Sequence, residues 1–258
     1  MDQQDREQAG RSGPGLPEVD VNEYGGKRDG VRQSMDRRLF MQLLVFDSAP
    51  DVDPGEPIAA LTDSLGRENL EAVVYEDVNA PSGLGLLTWS EDPTHFVDRV
   101  RPLFRAPALR QLRQRSDFTM LGRTYASGYE PDLEHWLLHR AVQNVTDPHW
   151  PWHVWYPLRR SGEFETLERP EQASILREHA AIGMAYGRAG LAHDVRLACH
   201  GLDANDNEFV IGLVGRDLHP LSHVVQRMRS TRQTSEYIVH MGPFFTGYAR
   251  WQHRWGAM

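Results

Sequence analysis

Residues 175–209, ILREHAAIGMAYGRAGLAHDVRLACHGLDANDNEF, contain the pattern that decides the fold. Apolar residues first recur at steps of three and four, which predicts an amphipathic helix over 170–187. The period then changes to two, which predicts a strand over 194–201. The stretch LDANDN follows, and its Asp and Asn residues favour a tight turn. We therefore expect a helix, a strand and a turn in direct succession.

The same order of elements occurs twice along the chain. In the second half, the helix, strand and turn are followed by a strand at 208–215, a helix at 219–229 and an aromatic strand from Pro243. The first half has strands and helices at 39–46, 56–66, 70–78, 83–89 and 92–104, then an aromatic strand from Asp117. Aligning Phe118 with Phe245 gives an offset of 127 residues. This duplication predicts an α+β fold of two ferredoxin-like units, whose antiparallel strands form a barrel-like core with the helices outside.

Composition divides the rest of the chain. Residues 1–35 are polar and rich in Gly and Pro, which predicts a disordered tail. We expect the N-terminal half at 36–130 and the C-terminal half at 170–258. The aromatic connecting segment at 131–169 is predicted to be irregular, and it either lines a ligand site or covers the sheet as a lid.

Bulk composition excludes several classes of protein. The chain has 258 residues, of which 40% are hydrophobic and 25% charged, as in a soluble globular protein. No apolar run approaches the ~18 residues of a membrane span, and the N-terminus lacks the order of a secretory signal, so we expect a cytoplasmic protein. The net charge of -8 disfavours nucleic acid as a partner. The single cysteine, Cys199, excludes an intrachain disulfide.

One histidine interrupts the apolar stripe of the 170–187 helix. His179 lies in register with Ile175, Ile182 and Tyr186, and it therefore faces the interior. A neutral imidazole in that position can bind the iron of a porphyrin as an axial ligand. The alternative is a buried histidine that is hydrogen-bonded to the backbone.

Six segments, in order along residues 38–251, together resemble the chlorite dismutase superfamily and, within it, the coproheme decarboxylase branch of haem biosynthesis. They are RLFMQLLVF (38–46), EDPTHFVDRV (91–100), VWYPLRRS (154–161), LREHAAIG (176–183), GLDANDNEFV (201–210), and MRSTRQTSEY with GPFFTG (228–247).

The resemblance implies an iron porphyrin, haem or coproheme, bound in the C-terminal half of a homopentamer. It also implies a reaction in which hydrogen peroxide drives decarboxylation of coproheme III propionates to vinyl groups, giving haem b. His179 matches the proximal iron ligand. Tyr156, 23 residues earlier, matches the redox-active catalytic tyrosine, for which the alternative is a packing aromatic. Arg229 and Thr234 match residues that hold a propionate.

Four propionates need cations, and arginine suits them because its planar fork donates two parallel hydrogen bonds. Arg159 and Arg160 join Arg229 as candidates, the alternative for the first two being a solvated loop pair. Where the decarboxylase pattern has Gly-Arg, this chain has Gly183-Met184, so one propionate-binding arginine is absent.

The sequence does not determine which residue lies on the distal side of the iron, opposite His179. Counting back from Gly201 gives Asp194, and counting forward from His179 gives Ala192. Arg196 or His193 are the other candidates for this distal group, and the position can also lack a polar residue.

Three functions follow from these patterns. The first is coproheme decarboxylation. The second is another haem enzyme of the superfamily, such as a peroxidase, a dismutase or an oxidase of a small molecule. Dismutases carry an acid that orients the proximal histidine, and the strand at 208–215 offers only Glu208. The third is a haem-binding oligomer without catalysis.

Overall fold

The computed structural model describes residues 16–53 and 55–254. In chain order, the regular elements are β1 (Glu23–Arg28), β2 (Val31–Met35), β3 (Phe40–Asp47), α1 (Gly55–Arg67), β4 (Ala72–Asp77), β5 (Gly83–Ser90), β6 (Arg113–Gln114), β7 (Met120–Thr124), α2 (Arg140–Val145), β8 (Trp152–Arg160), α3 (Arg169–Arg188), β9 (His193–Ala198), β10 (Phe209–Gly215), α4 (Leu218–Met228), β11 (Ile238–Met241) and β12 (Phe245–His253). Short π- and 3-10-helical turns connect some of these elements.

Eight of the described strands close into an antiparallel barrel. The first half contributes the order β7-β3-β5-β4, and the second half contributes β12-β8-β10-β9. The halves join where β4 pairs with β12 and β7 pairs with β9. Closure leaves no free edge in the barrel. The predicted pair of ferredoxin-like units around a barrel-like core, with helices outside, is confirmed.

Alternation along the strands separates the barrel interior from its outer surface. On β3, Met41, Leu43 and Val45 are at most 1% exposed and point into the barrel. Outside the first half, α1 packs on the sheet through Leu61 and Leu65, which are 0% exposed. Burying each such side chain contributes roughly 1.5–3 kcal/mol. Packing alone therefore accounts for the position of α1.

Outside the second half, α3 and α4 cover β8 and β10 less completely. α3 runs for 20 residues, yet Ile175 is the one residue of this helix that is fully buried. The helix ends before Gly190, whose φ of +66° favours glycine. No helix among the described residues is long and apolar enough to span a bilayer.

The connecting segment is more regular than predicted. Residues 131–169 contain α2 and β8, and β8 is the first strand of the second half, pairing with β10 and β12. Its aromatic residues occupy both faces, because the barrel interior lies on one side and the outer helices lie on the other. Two-sided burial removes the alternation of polar and apolar residues by which a strand is normally predicted.

Two further predictions need correction. Residues 1–15 of the expected tail lie outside the described residues, but 23–35 form the hairpin β1–β2 rather than a disordered segment. This hairpin is held by long-range bonds, such as that from Gly26 N to Glu130 O at 2.8 Å. The helix expected at 92–104 is a pair of short turns, Phe96–Val100 and Arg101–Arg105, with a proline at the junction that lacks the N–H of a regular helix.

Candidate functional site

A row of three side chains crosses the outer face of the second half. Tyr156 on β8 and Arg196 on β9 each lie directly opposite Ile211 on β10. Because residues opposite each other in a sheet share a face, all three side chains point to the space between the barrel and α3. Tyr156 and Arg196, far apart in sequence, are therefore neighbours in one wall.

The opposite wall is the apolar face of α3 with His179 on it. Nδ1 of His179 lies 3.2 Å from Oγ1 of Thr231, and that hydroxyl donates a hydrogen bond of 2.8 Å to the carbonyl of Met228. Since the threonine proton is used by the carbonyl, the hydroxyl accepts from Nδ1–H. The lone pair of the imidazole is then on Nε2.

The charge state of His179 suits a metal ligand. Burial lowers the pKa of this imidazole from its ordinary value, and the cation of Arg196 lowers it further, against smaller opposing effects of Glu178 and Asp194. The side chain is thus neutral at neutral pH. The influence of Arg196 and Asp194 also means that α3 and β9 face each other at short range.

Tyr156 is held rigidly beside this wall. The side chain is buried, and its ring stacks on Phe244 with centroids 4.5 Å apart and an interplanar angle of 22°. No hydrogen bond to its hydroxyl forms within the described part of the chain. Burial raises the pKa of the phenol, Asp194 raises it further, and Arg229 opposes the rise. Tyr156 is therefore a neutral phenol with a free hydroxyl.

The distal candidates divide between two environments. Asp194 lies on the same face as Arg196, where it forms an ion pair with Arg196 at 3.0 Å and another with Arg140 from α2. Burial opposes its ionisation, but the two cations outweigh burial and lower the pKa of Asp194. His193 points elsewhere and stacks on Trp150 at 3.8 Å. Asp194 and Arg196 are thus on the wall, and His193 is not.

The three predicted propionate arginines are not equivalent. Arg229 is exposed at the end of α4, and none of the described carboxylates pairs with it. Arg160 lies on the Tyr156 face but pairs with Glu165 at 2.9 Å. Arg159 lies on the opposite face of β8 and pairs with Asp206 at 3.7 Å. Arg229 is therefore the best placed of the three to bind an anion at the site.

Other predicted residues fall around His179. Oγ1 of Thr234 lies 3.4 Å from Oγ1 of Thr231, which places it beside the histidine's partner. Met184, where the family pattern has arginine, is 56% exposed. Glu208 does not orient His179, because its carboxylate contacts Arg160. Ala192 is buried against α4 in the apolar cluster between the helices and the sheet.

Several site residues escaped the sequence analysis. Thr231 partners His179, Phe244 stacks on Tyr156, and Arg140 pairs with Asp194. Thr231 lies inside the quoted MRSTRQTSEY and Phe244 inside GPFFTG, so the motifs drew attention to the right segments. Arg140 lies in the segment predicted to be irregular, and only the path of the chain in space brings it to β9.

The walls suit a flat apolar group with an acidic edge. Ile182 on α3 belongs to the same apolar cluster as Ile211, Met241 and Phe244, and all four side chains are only partly buried. Among the described residues, no three His, Cys, Asp or Glu side chains converge on a point that would hold a bare metal ion. The donor set at His179 therefore fits a metal whose other ligands come from a porphyrin, with Arg229 available for a carboxylate at its edge.

A comparison with known proteins identifies the family of this chain. The family model described as chlorite dismutase matches residues 86–250. A haem-binding protein from Thermus thermophilus has a similar structure, with 19% identity, a TM-score of 0.64, and coverage of 83% of this chain and 91% of that one. A variant chlorite dismutase from Candidatus Nitrospira defluvii in complex with cyanide has 13% identity, the same TM-score of 0.64, and coverage of 83% and 92%. At such identities the two structures show the fold alone. Comparison with curated proteins finds no match.

Proposed function

The chain belongs to the chlorite dismutase family, and we propose that it binds an iron porphyrin between α3 and the Tyr156–Ile211–Arg196 row and oxidatively decarboxylates coproheme with hydrogen peroxide. The observation that carries this proposal is that His179 on α3 and Tyr156 on β8 both lie within electrostatic reach of Asp194. A neutral histidine with a free Nε2 lies on the helix, and a phenol with a free hydroxyl lies on the sheet.

His179 is the proposed iron ligand. Its Nδ1–H is committed to Thr231, whose own proton is committed to Met228. Such an outer hydrogen bond fixes both the tautomer and the ring orientation of a metal-binding histidine. The bond is made to a hydroxyl rather than to a carboxylate, so His179 lacks the acid partner that the resemblance attributes to dismutases.

Tyr156 is the proposed catalytic residue. The bound iron porphyrin would supply peroxide reduction and one-electron oxidation. Tyr156 loses an electron and its hydroxyl proton, and the resulting phenoxyl removes a hydrogen atom from the β-carbon of a propionate. Loss of a second electron and of carbon dioxide leaves a vinyl group. The two electrons, the proton released by Tyr156 and one proton from solvent reduce one peroxide to two waters. Stacking on Phe244 holds the phenol in place, which is the protein's main contribution.

Charge complementarity supports an acidic porphyrin. Arg229 is available to bind a propionate, because none of the described carboxylates pairs with it. Arg159 and Arg160 pair with carboxylates of Asp206 and Glu165, which are 93% and 62% exposed. Exposed ion pairs contribute only about 0–1 kcal/mol, so Arg159 can leave Asp206 at small cost, although it lies on the face opposite Tyr156. Arg160 is held more firmly, because its side chain is 13% exposed and its guanidinium lies 4.2 Å from the centre of the Phe164 ring. Thr234 adds a hydroxyl beside Thr231.

Arg196 favours a second candidate, a peroxidase that retains its porphyrin. The resemblance places arginine at the distal position of dismutases, and Arg196 lies in the row opposite α3, held by Asp194 at 3.0 Å. A fixed guanidinium in this place would orient peroxide whether or not a propionate is oxidised.

Measurements on the Tyr156→Phe variant and on the unmodified chain together separate the two candidates. We expect the Tyr156→Phe variant to bind ferric coproheme with an unchanged absorbance shift and to form no vinyl product on addition of peroxide, as followed by chromatography. Tyr129→Phe, at a side chain that is 84% exposed, is the control. Conversion of coproheme to haem b by Tyr156→Phe would refute the role of this tyrosine, and peroxidation of a dye without any decarboxylation by the unmodified chain would favour the second candidate.

Assembly and location belong to the same proposal. We expect a homopentamer in the cytoplasm, as the resemblance implies. Sedimentation equilibrium with and without coproheme measures the number of subunits, and a monomer in both conditions would contradict it.

A further inference from the structure

The barrel interior contains a second phenol that the proposed reaction does not use. Tyr75 on β4 and His153 on β8 are both 0% exposed, and Oη of Tyr75 lies 2.7 Å from Nδ1 of His153. Nε2 of the same imidazole lies 3.0 Å from the carbonyl of Trp150. A carbonyl only accepts, so Nε2 carries the proton and Nδ1 accepts from the Tyr75 hydroxyl.

Both groups of this pair are neutral. Burial lowers the pKa of His153 to about 3, against a smaller opposing effect of its bond to Trp150. Burial also raises the pKa of Tyr75 well above its ordinary value, and the Trp155 side chain opposes that rise. At neutral pH the pair thus consists of a phenol that donates its proton in a hydrogen bond to an unprotonated imidazole nitrogen.

Trp155 connects this pair to the candidate site. It precedes Tyr156 on β8, so the two side chains lie on opposite faces of the strand, Tyr156 outside and Trp155 inside the barrel. The Trp155 indole is 0% exposed, belongs to the same buried core cluster as Tyr75, and makes no hydrogen bond through Nε1 among the described residues. Aromatic side chains therefore run from Tyr156 through Trp155 to Tyr75 without intervening solvent.

Two glycines let these rings lie against the strand backbones. Gly212 is directly opposite Trp155, and a Cβ there would come within 2.6 Å of the indole ring. Gly247 is directly opposite His153, and a Cβ there would come within 2.9 Å of the Tyr75 ring. Larger residues at either position would push the rings apart. The two glycines thus leave room for the Trp155 and Tyr75 rings in the barrel interior.

We propose that Tyr75 is a second oxidation site of this protein, which returns an electron to oxidised Tyr156 through Trp155 while His153 takes the Tyr75 proton. The inference rests on the proposed function, because hydrogen peroxide acting through a bound iron porphyrin is the oxidant. Tyr156 regains one electron from Tyr75, takes from solvent a proton in place of the one that its own oxidation released, and becomes a phenol again. Tyr75 loses one electron, its O–H bond breaks, and the proton binds Nδ1 of His153. The products are a Tyr75 phenoxyl and an imidazolium.

This transfer needs no rearrangement of the core. The proton moves along an existing hydrogen bond of 2.7 Å and returns along it when Tyr75 is reduced. An oxidised phenol is a far stronger acid than a phenol, so even a buried imidazole accepts its proton. The transfer moves an unused oxidising equivalent away from Tyr156 and from the porphyrin into a site that solvent does not reach.

The test is electron paramagnetic resonance of protein loaded with ferric haem b, freeze-quenched after addition of peroxide. Ring-deuterated tyrosine identifies the tyrosyl part of the signal. We expect Tyr75→Phe to lose most of that signal and the exposed-site control Tyr129→Phe to retain it. We expect His153→Gln to keep Tyr75 but to shorten the lifetime of its radical, because the proton acceptor is gone.

A second measurement uses the unmodified chain, because Tyr75→Phe leaves a buried nitrogen without its donor. Peptide mass spectrometry after repeated peroxide additions should find oxidised Tyr75 in preference to exposed Tyr129. A full tyrosyl signal in Tyr75→Phe, or an unmodified Tyr75 peptide, overturns the inference. The haem absorbance shift and vinyl formation in the same preparation report separately on the proposed function. Haem binding and a Tyr75 radical without decarboxylation would refute only the proposed decarboxylation. Absence of haem binding would refute both the proposed function and the role of Tyr75.

Discussion

The two halves of the barrel share one topology but present different outer faces to their helices. In the first half, the central row across three strands is Leu44, Leu86 and Val74, all apolar. In the corresponding row of the second half, the residues are Tyr156, Ile211 and Arg196. The fold itself therefore does not require a polar side chain in this row.

The helices differ in the same sense. α1 buries three large aliphatic side chains, Ile58, Leu61 and Leu65, against its sheet. α3 is longer, but it fully buries only Ile175 and places His179 over the sheet. The first half thus uses its helix for packing, whereas α3 of the second half packs less completely on the face that carries Tyr156 and Arg196. Four experiments test this division.

The largest effect is expected from His179→Ala. If the second half alone holds the iron, this change removes the ligand and weakens ferric haem binding by more than about 100-fold, since even loss of an outer hydrogen bond costs about 10–100-fold. Absorbance titration measures it. The matched control is His95→Ala, which removes the only histidine between residues 36 and 130. Loss of the spectrum in His95→Ala rather than in His179→Ala would reverse the roles of the halves.

Packing energies should show the opposite asymmetry. Leu61→Ala opens a cavity at a fully buried position of α1, and we expect it to lower the free energy of unfolding by about 2–5 kcal/mol. Ile182 on α3 is only partly buried, so Ile182→Ala should cost about 1 kcal/mol. Urea unfolding of porphyrin-free protein measures both. Equal losses of unfolding free energy would mean that α3 is packed on its sheet as tightly as α1 is.

The sequence predicted this comparison in part. The 3.6-residue period of 170–187 and the alternation of 194–201 were sufficient for α3 and β9, and the duplication was sufficient for the barrel. β8 was missed because both of its faces are covered, so its pattern lacks alternation. His179 was selected from its place in the apolar stripe of the helix, and Tyr156 and Arg229 were selected through the family resemblance. The position of Tyr156 in one row with Arg196 depends on strand register, and a single sequence does not specify which strands are neighbours.

Thr231→Val tests the outer hydrogen bond of the second half. The valine keeps the volume but leaves Nδ1 of His179 without an acceptor, so haem affinity should fall about 10–100-fold. Thr62→Val is a close match in the first half, because the Thr62 hydroxyl also donates to the carbonyl three residues earlier, at 2.9 Å. We expect that variant to bind haem normally. Unchanged affinity in Thr231→Val would show that ring orientation comes from the packing of α3 instead.

The effect that is smallest near neutral pH concerns the contact that joins the halves, from Tyr75 on β4 to His153 on β8. The folded state holds the pKa of His153 at about 3, below the ordinary 6.5. As the pH falls from 6.5 towards 3, the unfolded chain binds a proton that the folded chain does not. The contribution of the neutral imidazole to the free energy of unfolding is therefore fully present above pH 6.5. Below that pH it declines by up to about 1.4 kcal/mol per pH unit.

Urea unfolding across this pH range measures how the free energy of unfolding changes with pH. This dependence should be weaker in His153→Gln than in the unmodified chain. It should be unchanged in the control His149→Gln, whose histidine side chain is 84% exposed. Because the bond from Tyr75 to His153 spans both halves, acid should lower the midpoint of one shared transition rather than release one half first. Two transitions that separate at low pH would show that the halves, so different on their outer faces, also unfold independently.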